Sequence, residues 1–224
     1  MNNPAYMIYP SLLDAFTAFR TADWMTEEEL LARINRTAGT SPEAARGTAF
    51  NNVIDRLAAG APVGIVVDGA TGEEVYTIQD TTGAYVFPVD ICDRLAALYS
   101  EAIPQQFVEG DIECRYGTVR LYGYVDGLFP RSVRDIKTTK RYEAQKYRHG
   151  WQKLVYTYCV RQMGGTVEEF AYDATDFRSL YTEVYTGPQI DIKGHIGEIE
   201  DFIEYIEAKR DVITQPKLFG IINK

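Results

Sequence analysis

Cysteine and histidine are scarce in this chain of 224 residues, with three of the first and two of the second. Cys92, Cys114 and Cys159 lie far apart and form no Cys-x-x-Cys pair. That leaves no framework for disulfides, a structural zinc or an iron–sulfur cluster. His149 and His195 lack metal-ligand spacing, and His149 has no serine or cysteine partner for a catalytic triad. No apolar run reaches the roughly 18 residues that a membrane helix requires, and Asp14 interrupts the first apolar stretch. The segment Gly69-Ala-Thr-Gly72 is followed by no Lys-Ser/Thr, so it is not a P-loop. Unpaired thiols fit a reducing compartment, and a soluble, cytoplasmic protein is the expectation.

Basic charge is also in deficit, with 23 Lys and Arg against 32 Asp and Glu, a formal net charge of −9. A wholly basic coat for nucleic acid is therefore excluded. The deficit is uneven, however. Between Arg131 and Lys153 stand eight Lys or Arg and only two acids, Asp135 and Glu143. Such asymmetry points to a local anionic partner or to a solvated basic face.

What is present is enough apolar residue, 46%, for a real core in one domain over residues 1–224. Residues 1–10 are expected to be an extended lead, with Ser11 capping a first helix. Thr26-Glu-Glu-Glu is a capping-box pattern, and Ser41-Pro42-Glu43 opens a helix that stops at Gly60. Residues 61–90, rich in Gly, Thr, Val and Tyr, read as an inserted β-hairpin element. A helix follows from Val89 to Ser100, with Ile91, Leu95 and Leu98 turned inward and Cys92 in the core. Strands are expected at 106–115, 118–129 and 133–138. A long helix is expected from Tyr142 to Met163, ended by Gly164-Gly165. Strands at 166–172 and 178–185 and a helix at 198–208 complete the reading. The sum is an α/β (α+β) fold with a central mixed sheet flanked by helices.

The densest chemistry lies between Gly123 and Tyr156. Asp126 ends one apolar strand-like run. Asp135 and Lys137 sit two apart on the next, so their side chains share a face. Two carboxylates and an ammonium at one sheet edge make a seat for a divalent cation. On the following helix Arg148, Gln152 and Tyr156 recur at a spacing of four, on one face.

The ordered set Asp126, Asp135-x-Lys137, Gln152-x-x-x-Tyr156 resembles the signature of PD-(D/E)xK nucleases, in their RecB-like and lambda-exonuclease-like branch. The resemblance covers roughly residues 40–60 and 104–160, and the first helix loosely. It implies a restriction-endonuclease-like core and a Mg²⁺- or Mn²⁺-dependent deoxyribonuclease, with an exonuclease of phage or bacterial DNA recombination and repair the nearest type. It implies Asp126, Asp135 and the main-chain carbonyl of Ile136 as metal ligands, with Lys137 acting on water and phosphate and Gln152 and Tyr156 positioning. Gly47-Thr48 is similar to the opening of the family's first core helix. There Asn51 stands where the family has a His or Glu metal ligand, so an amide oxygen replaces a charged donor. Lys140, Arg141, Arg148 and Lys153 are candidate contacts to DNA phosphates. Some relatives carry a four-cysteine cluster, which this chain cannot build. Others form rings, which puts a homo-oligomer among the expectations. The alternative is a DNA-binding module that keeps the fold and has lost cleavage, and Asn51 is the residue that favours it.

Overall fold

A computed structural model describes residues 4–220. It holds a central mixed sheet with helices on both faces and a second, smaller sheet beside it. In chain order the first elements are β1 (Tyr6–Ile8), α1 (Pro10–Thr21), α2 (Glu27–Ile34) and α3 (Pro42–Ala58). Thr26 and Glu29 form the expected capping box, and the Ser41 hydroxyl accepts from Ala44 N–H. The first helix differs from expectation at its start. Pro10 occupies its first turn and Tyr9 is the cap, because proline needs no amide partner there. The extended lead is itself a strand, β1, paired parallel with residues 119–121.

Next come β2 (Gly64–Val67), β3 (Glu74–Asp80) and β4 (Gly83–Pro88), a separate antiparallel three-stranded sheet where the β-insert was expected. Helix α4 (Val89–Tyr99) follows, with Ile91, Cys92 and Leu95 buried. Leu98 is 41% exposed, against the sequence expectation, since the helix packs through 91, 92, 95, 96 and 99.

The central sheet is built from β5 (Ile103–Cys114), β6 (Gly117–Leu128), β7 (Ser132–Thr138), β8 (Glu169–Thr175) and β9 (Leu180–Thr186), with β1. Strand β5 pairs antiparallel along nearly all of β6. The other edge of β6 is shared. Strand β1 takes residues 119–121, and β7 takes only Gly127 and Leu128. Between these contacts that edge has no partner strand among the described residues, and the sheet splits. Strand β7 then runs parallel to β8, and β8 antiparallel to β9.

Helix α5 (Gln152–Gln162) is half the length expected from 142–163. Residues 139–151 are instead a surface strap. The buried Glu183 carboxylate accepts the amide N–H groups of Lys146 and Tyr147, at 3.1 and 3.3 Å, and Gln145 takes a positive φ of 65°. The Tyr147 amide is thereby diverted from a helix, and the Lys146 amide, shared with Glu143 O, closes only a single tight turn. Helix α6 (Ile196–Ala208) buries Ile199, Phe202, Ile203 and Ile206 as expected, and His195 is its cap. A 3-10 turn at Pro216–Phe219 packs on β1.

Two apolar cores result. The larger unites α1, α2, α5 and α6 with one sheet face. The smaller unites α3, α4 and the small sheet with Ile136 of β7. Two glycines of β6 admit tyrosines from opposite sides. A Cβ on Gly123 would lie 2.6 Å from Cε1 of Tyr156, and one on Gly127 would lie 2.7 Å from Cε1 of Tyr99. Residues four apart on an even strand share a face. Here they face different helices, so β6 turns over between them, at Val125–Asp126. Gly123→Ala is expected to cost about 1–3 kcal/mol by overpacking. Urea unfolding would show it as a lowered midpoint with unchanged slope, and an unchanged midpoint would contradict the packing.

Candidate active site

The split in the sheet places the acidic residues. Strand β7 alternates, with Val133 in the larger core and Ile136 in the smaller, so Asp135 and Lys137 fall on the α5 side. Asp135 is 2% exposed. Gln152, in the first turn of α5, donates its amide N–H to Asp135 Oδ1 at 2.9 Å. The Lys137 ammonium lies 2.5 Å from Asp135 Oδ2. That approach supplies charge without hydrogen-bond direction, and Oδ2 is left with no aligned donor. Tyr156, one helical turn beyond Gln152, is buried against Gly123.

Asp126 stands where β6 parts from β7. Its Oδ2 accepts Ile136 N–H at 2.8 Å, so the side chain replaces the backbone carbonyl that a continued ladder would supply. The Asn51 amide donates to the same oxygen at 3.3 Å, and Gln105 donates to Oδ1 at 3.3 Å. Asn51 thus serves Asp126 as a hydrogen-bond donor from α3. Gln105 was not identified from the sequence. It adopts a positive φ of 47° in β5, and no motif marks it.

A third acid sits behind the site. Asp173 of β8 is buried and accepts two bonds from Arg134, at 2.7 and 2.8 Å, one from Tyr99 at 3.0 Å and one from Thr182 at 2.8 Å. Four donors satisfy it, which marks a structural role. This network was also missed, because its members are scattered over 84 residues with no shared spacing.

The expected phosphate contacts divide. Lys140, Arg141 and Arg148 are exposed on the strap, and Arg148 is not on the helix face of Gln152 and Tyr156 because α5 begins later. Lys153 is corrected outright. It is 4% exposed and donates to Gly150 O at 2.8 Å, and burial draws its ammonium down to about 8. The basic window is also less open than its sequence. Arg131, Arg134, Lys137, Lys140 and Arg141 all pair with carboxylates.

The donor set fits a hard cation. Asp126, Asp135 and the Ile136 carbonyl offer oxygen only, and Asp135 Oδ2 is a buried oxygen whose close neighbour is the Lys137 ammonium. This suits Mg²⁺ or Mn²⁺. Among the described residues no cluster of three or more His, Cys, Asp or Glu side chains is arranged for a metal, so the carboxylate pair needs the carbonyl and water to complete a shell. All three cysteines are free. No helix among the described residues is long and apolar enough to cross a membrane.

Burial, and then the Asp135 charge, push the Asp126 carboxyl up to about 7. Burial raises Asp135 as well, against the pull of Lys137. A carboxyl raised in the fold stabilises it below its unfolded value, and that contribution is lost as pH rises through the folded value. Metal-free protein is therefore expected to lose stability from about pH 4 through about pH 7. Asp126→Asn should lose less over this range, and denaturant titrations at stepped pH with equal losses for both proteins would refute the assignment.

No family model matches the chain, and no curated protein does. The crystal structure of SSO0001 superposes with a TM-score of 0.53 at 13% identity, over 92% of this chain and 79% of that one. The crystal structure of S. pombe Rai1 in complex with 3'-FADP reaches 0.28 at 15% identity, over 75% and 63%. The second likeness is too low to carry an argument. The first, at such low identity, concerns the fold alone: a central mixed sheet flanked by helices.

Proposed function

We propose that this chain is a divalent-cation-dependent nuclease of the PD-(D/E)xK kind that hydrolyses phosphodiester bonds in DNA, with an exonuclease of recombination or repair as the specific form. One observation carries the reading. Residues from four elements converge on two neighbouring carboxylates: Asn51 of α3, Asp126 of β6, Asp135 and Lys137 of β7, and Gln152 of α5. A structural ion pair has no need of the second, strongly perturbed acid.

Asp126, Asp135 and the Ile136 carbonyl would hold Mg²⁺ or Mn²⁺. When bound, such an ion offsets charge on phosphate oxygens and makes bound water more acidic. The protein residues do the rest. Gln152 fixes the rotamer of Asp135 through Oδ1, leaving Oδ2 toward the site. Ile136 N–H, Asn51 and Gln105 hold Asp126 in place. The Lys137 ammonium, a quarter exposed, orients the attacking water and offsets charge developing on the phosphate. Tyr156 closes the apolar side and keeps bulk water out. In hydrolysis the water oxygen bonds to phosphorus and gives up a proton to solvent, the P–O bond to one sugar oxygen breaks, and that oxygen takes a proton from solvent water and leaves as a hydroxyl.

The second reading, a binding module without cleavage, is favoured by Asn51, which brings an amide rather than a carboxylate to the site. Digestion of labelled linear duplex, linear single-stranded and circular DNA in Mg²⁺, Mn²⁺ or EDTA separates the two. Cleavage is expected with metal and not with EDTA. Lys137→Ala should lower the rate by roughly 10²–10⁴-fold, and loss confined to linear DNA would mark an exonuclease. Salt-sensitive DNA binding with no cleavage in either metal would refute the enzyme and support the module.

A further inference from the structure

The strap that replaces the first half of the expected helix carries an aromatic feature that the proposed chemistry does not use. Tyr142 stacks on Tyr181 of β9, with ring centroids 4.0 Å apart and planes 11° from parallel. Both rings are half-buried, so part of each meets solvent. The strap is fixed, not loose. Thr139 N–H donates to Thr175 O at 2.9 Å, Lys146 Nζ lies 2.5 Å from Thr139 Oγ1, and Glu183 takes two strap amides while also accepting the Tyr185 hydroxyl.

Sheet register places this pair relative to the candidate active site. Lys137 of β7 is opposite Ala174 of β8, and Ala174 is opposite Tyr181 of β9. Directly opposed residues share a face, so Lys137 and Tyr181 stand in one row with the smallest of side chains between them. Two strand spacings put their backbones about 10 Å apart. A stacked nucleotide strand advances about 3.4 Å per residue. An unpaired strand extends further per residue than a stacked one, so the tyrosine pair is within about three nucleotides of a phosphate held at Lys137. Lys140 and Arg141 flank Tyr142 and are exposed. Their carboxylate partners, Glu43 and Glu143, are surface groups, and such pairs exchange readily for phosphate.

An aromatic ring beside cations on a fixed surface suits an unpaired base on a phosphate backbone. A duplex offers such a face only at its terminal pairs, since its interior bases are stacked on one another, whereas an unpaired strand can offer one at every residue. We infer that Tyr142, backed by Tyr181, is a stacking platform for an unpaired base within about three nucleotides of the scissile phosphate, so that the strand to be cut reaches the site single-stranded. This rests on the nuclease reading and adds to it the form of the substrate.

The test is fluorescence anisotropy in EDTA at low salt, with labelled oligo(dT) and a blunt duplex of the same length, alongside the digestion assay. Tyr142→Ala is expected to weaken oligo(dT) binding roughly tenfold and duplex binding less than about twofold. Tyr142→Phe should match the wild type, and far-UV circular dichroism should be unchanged. In the wild type, 2-aminopurine walked along the oligonucleotide should be quenched at a single position, a readout that needs no variant to fold. Binding and cleavage by the wild type, with equal effects of Tyr142→Ala on both DNAs or no quenching anywhere, would overturn the platform and leave the nuclease standing. A wild type that neither binds nor cuts either DNA would overturn both.

Discussion

Asp135 is a carboxylate placed inside the sheet, and a buried charge must be compensated or neutralised. The structure compensates it from two directions. An ammonium two residues along the same strand lies beside Oδ2 and an amide from α5 holds Oδ1, while the Asp173 charge on the next strand adds to the cost. Removing one partner would leave the others exposed to that cost. The Gln152 bond ties the first turn of α5 to β7, while the apolar face of the same helix seats it in the larger core.

The departure is itself a matter of hydrogen bonds. An interior strand that loses its neighbour leaves amides that need acceptors. Ile136 N–H finds one in the Asp126 carboxylate. The same carboxylate that completes the backbone is thereby aimed at the site. Gly123 and Gly127 admit Tyr156 and Tyr99 on either side of this point, and β6 turns over between them. Behind it, the Arg134–Asp173 network, with Tyr99 and Thr182, ties β7 to β8 and α4. The site is supported on both faces by packed elements, and the strap from Thr139 to Trp151 joins its lysine to its helix.

Much of this architecture follows from local signals. The capping residues Thr26 and Ser41, the proline at 42 and the alternation of β7 place α2, α3 and the Asp135–Lys137 pair because each acts within a few residues. The start of α5 was not legible. Residues 142–151 have a helical apolar spacing, but Glu183, more than thirty residues later, takes their amides. Lys153 reads as a surface cation and is buried, since exposure depends on how α5 meets α1 and β9. Gln105 carries no signal at all, because a positive φ on a glutamine is imposed by its surroundings.

By itself, then, the sequence determined the order and type of most elements, though not β1 or the strap before α5, the spacing of Asp135 and Lys137 on one strand, and the turn of helix that separates Gln152 from Tyr156. These depend on backbone periodicity and on caps, which are properties of short segments. Only the tertiary structure decided that the Asp135 charge is felt at Asp126, that Asn51 and Gln105 serve Asp126, that Lys153 is withdrawn, and that Tyr142 rests on Tyr181. Each of those depends on which groups the split sheet brings within a few ångströms and on how much water it leaves them.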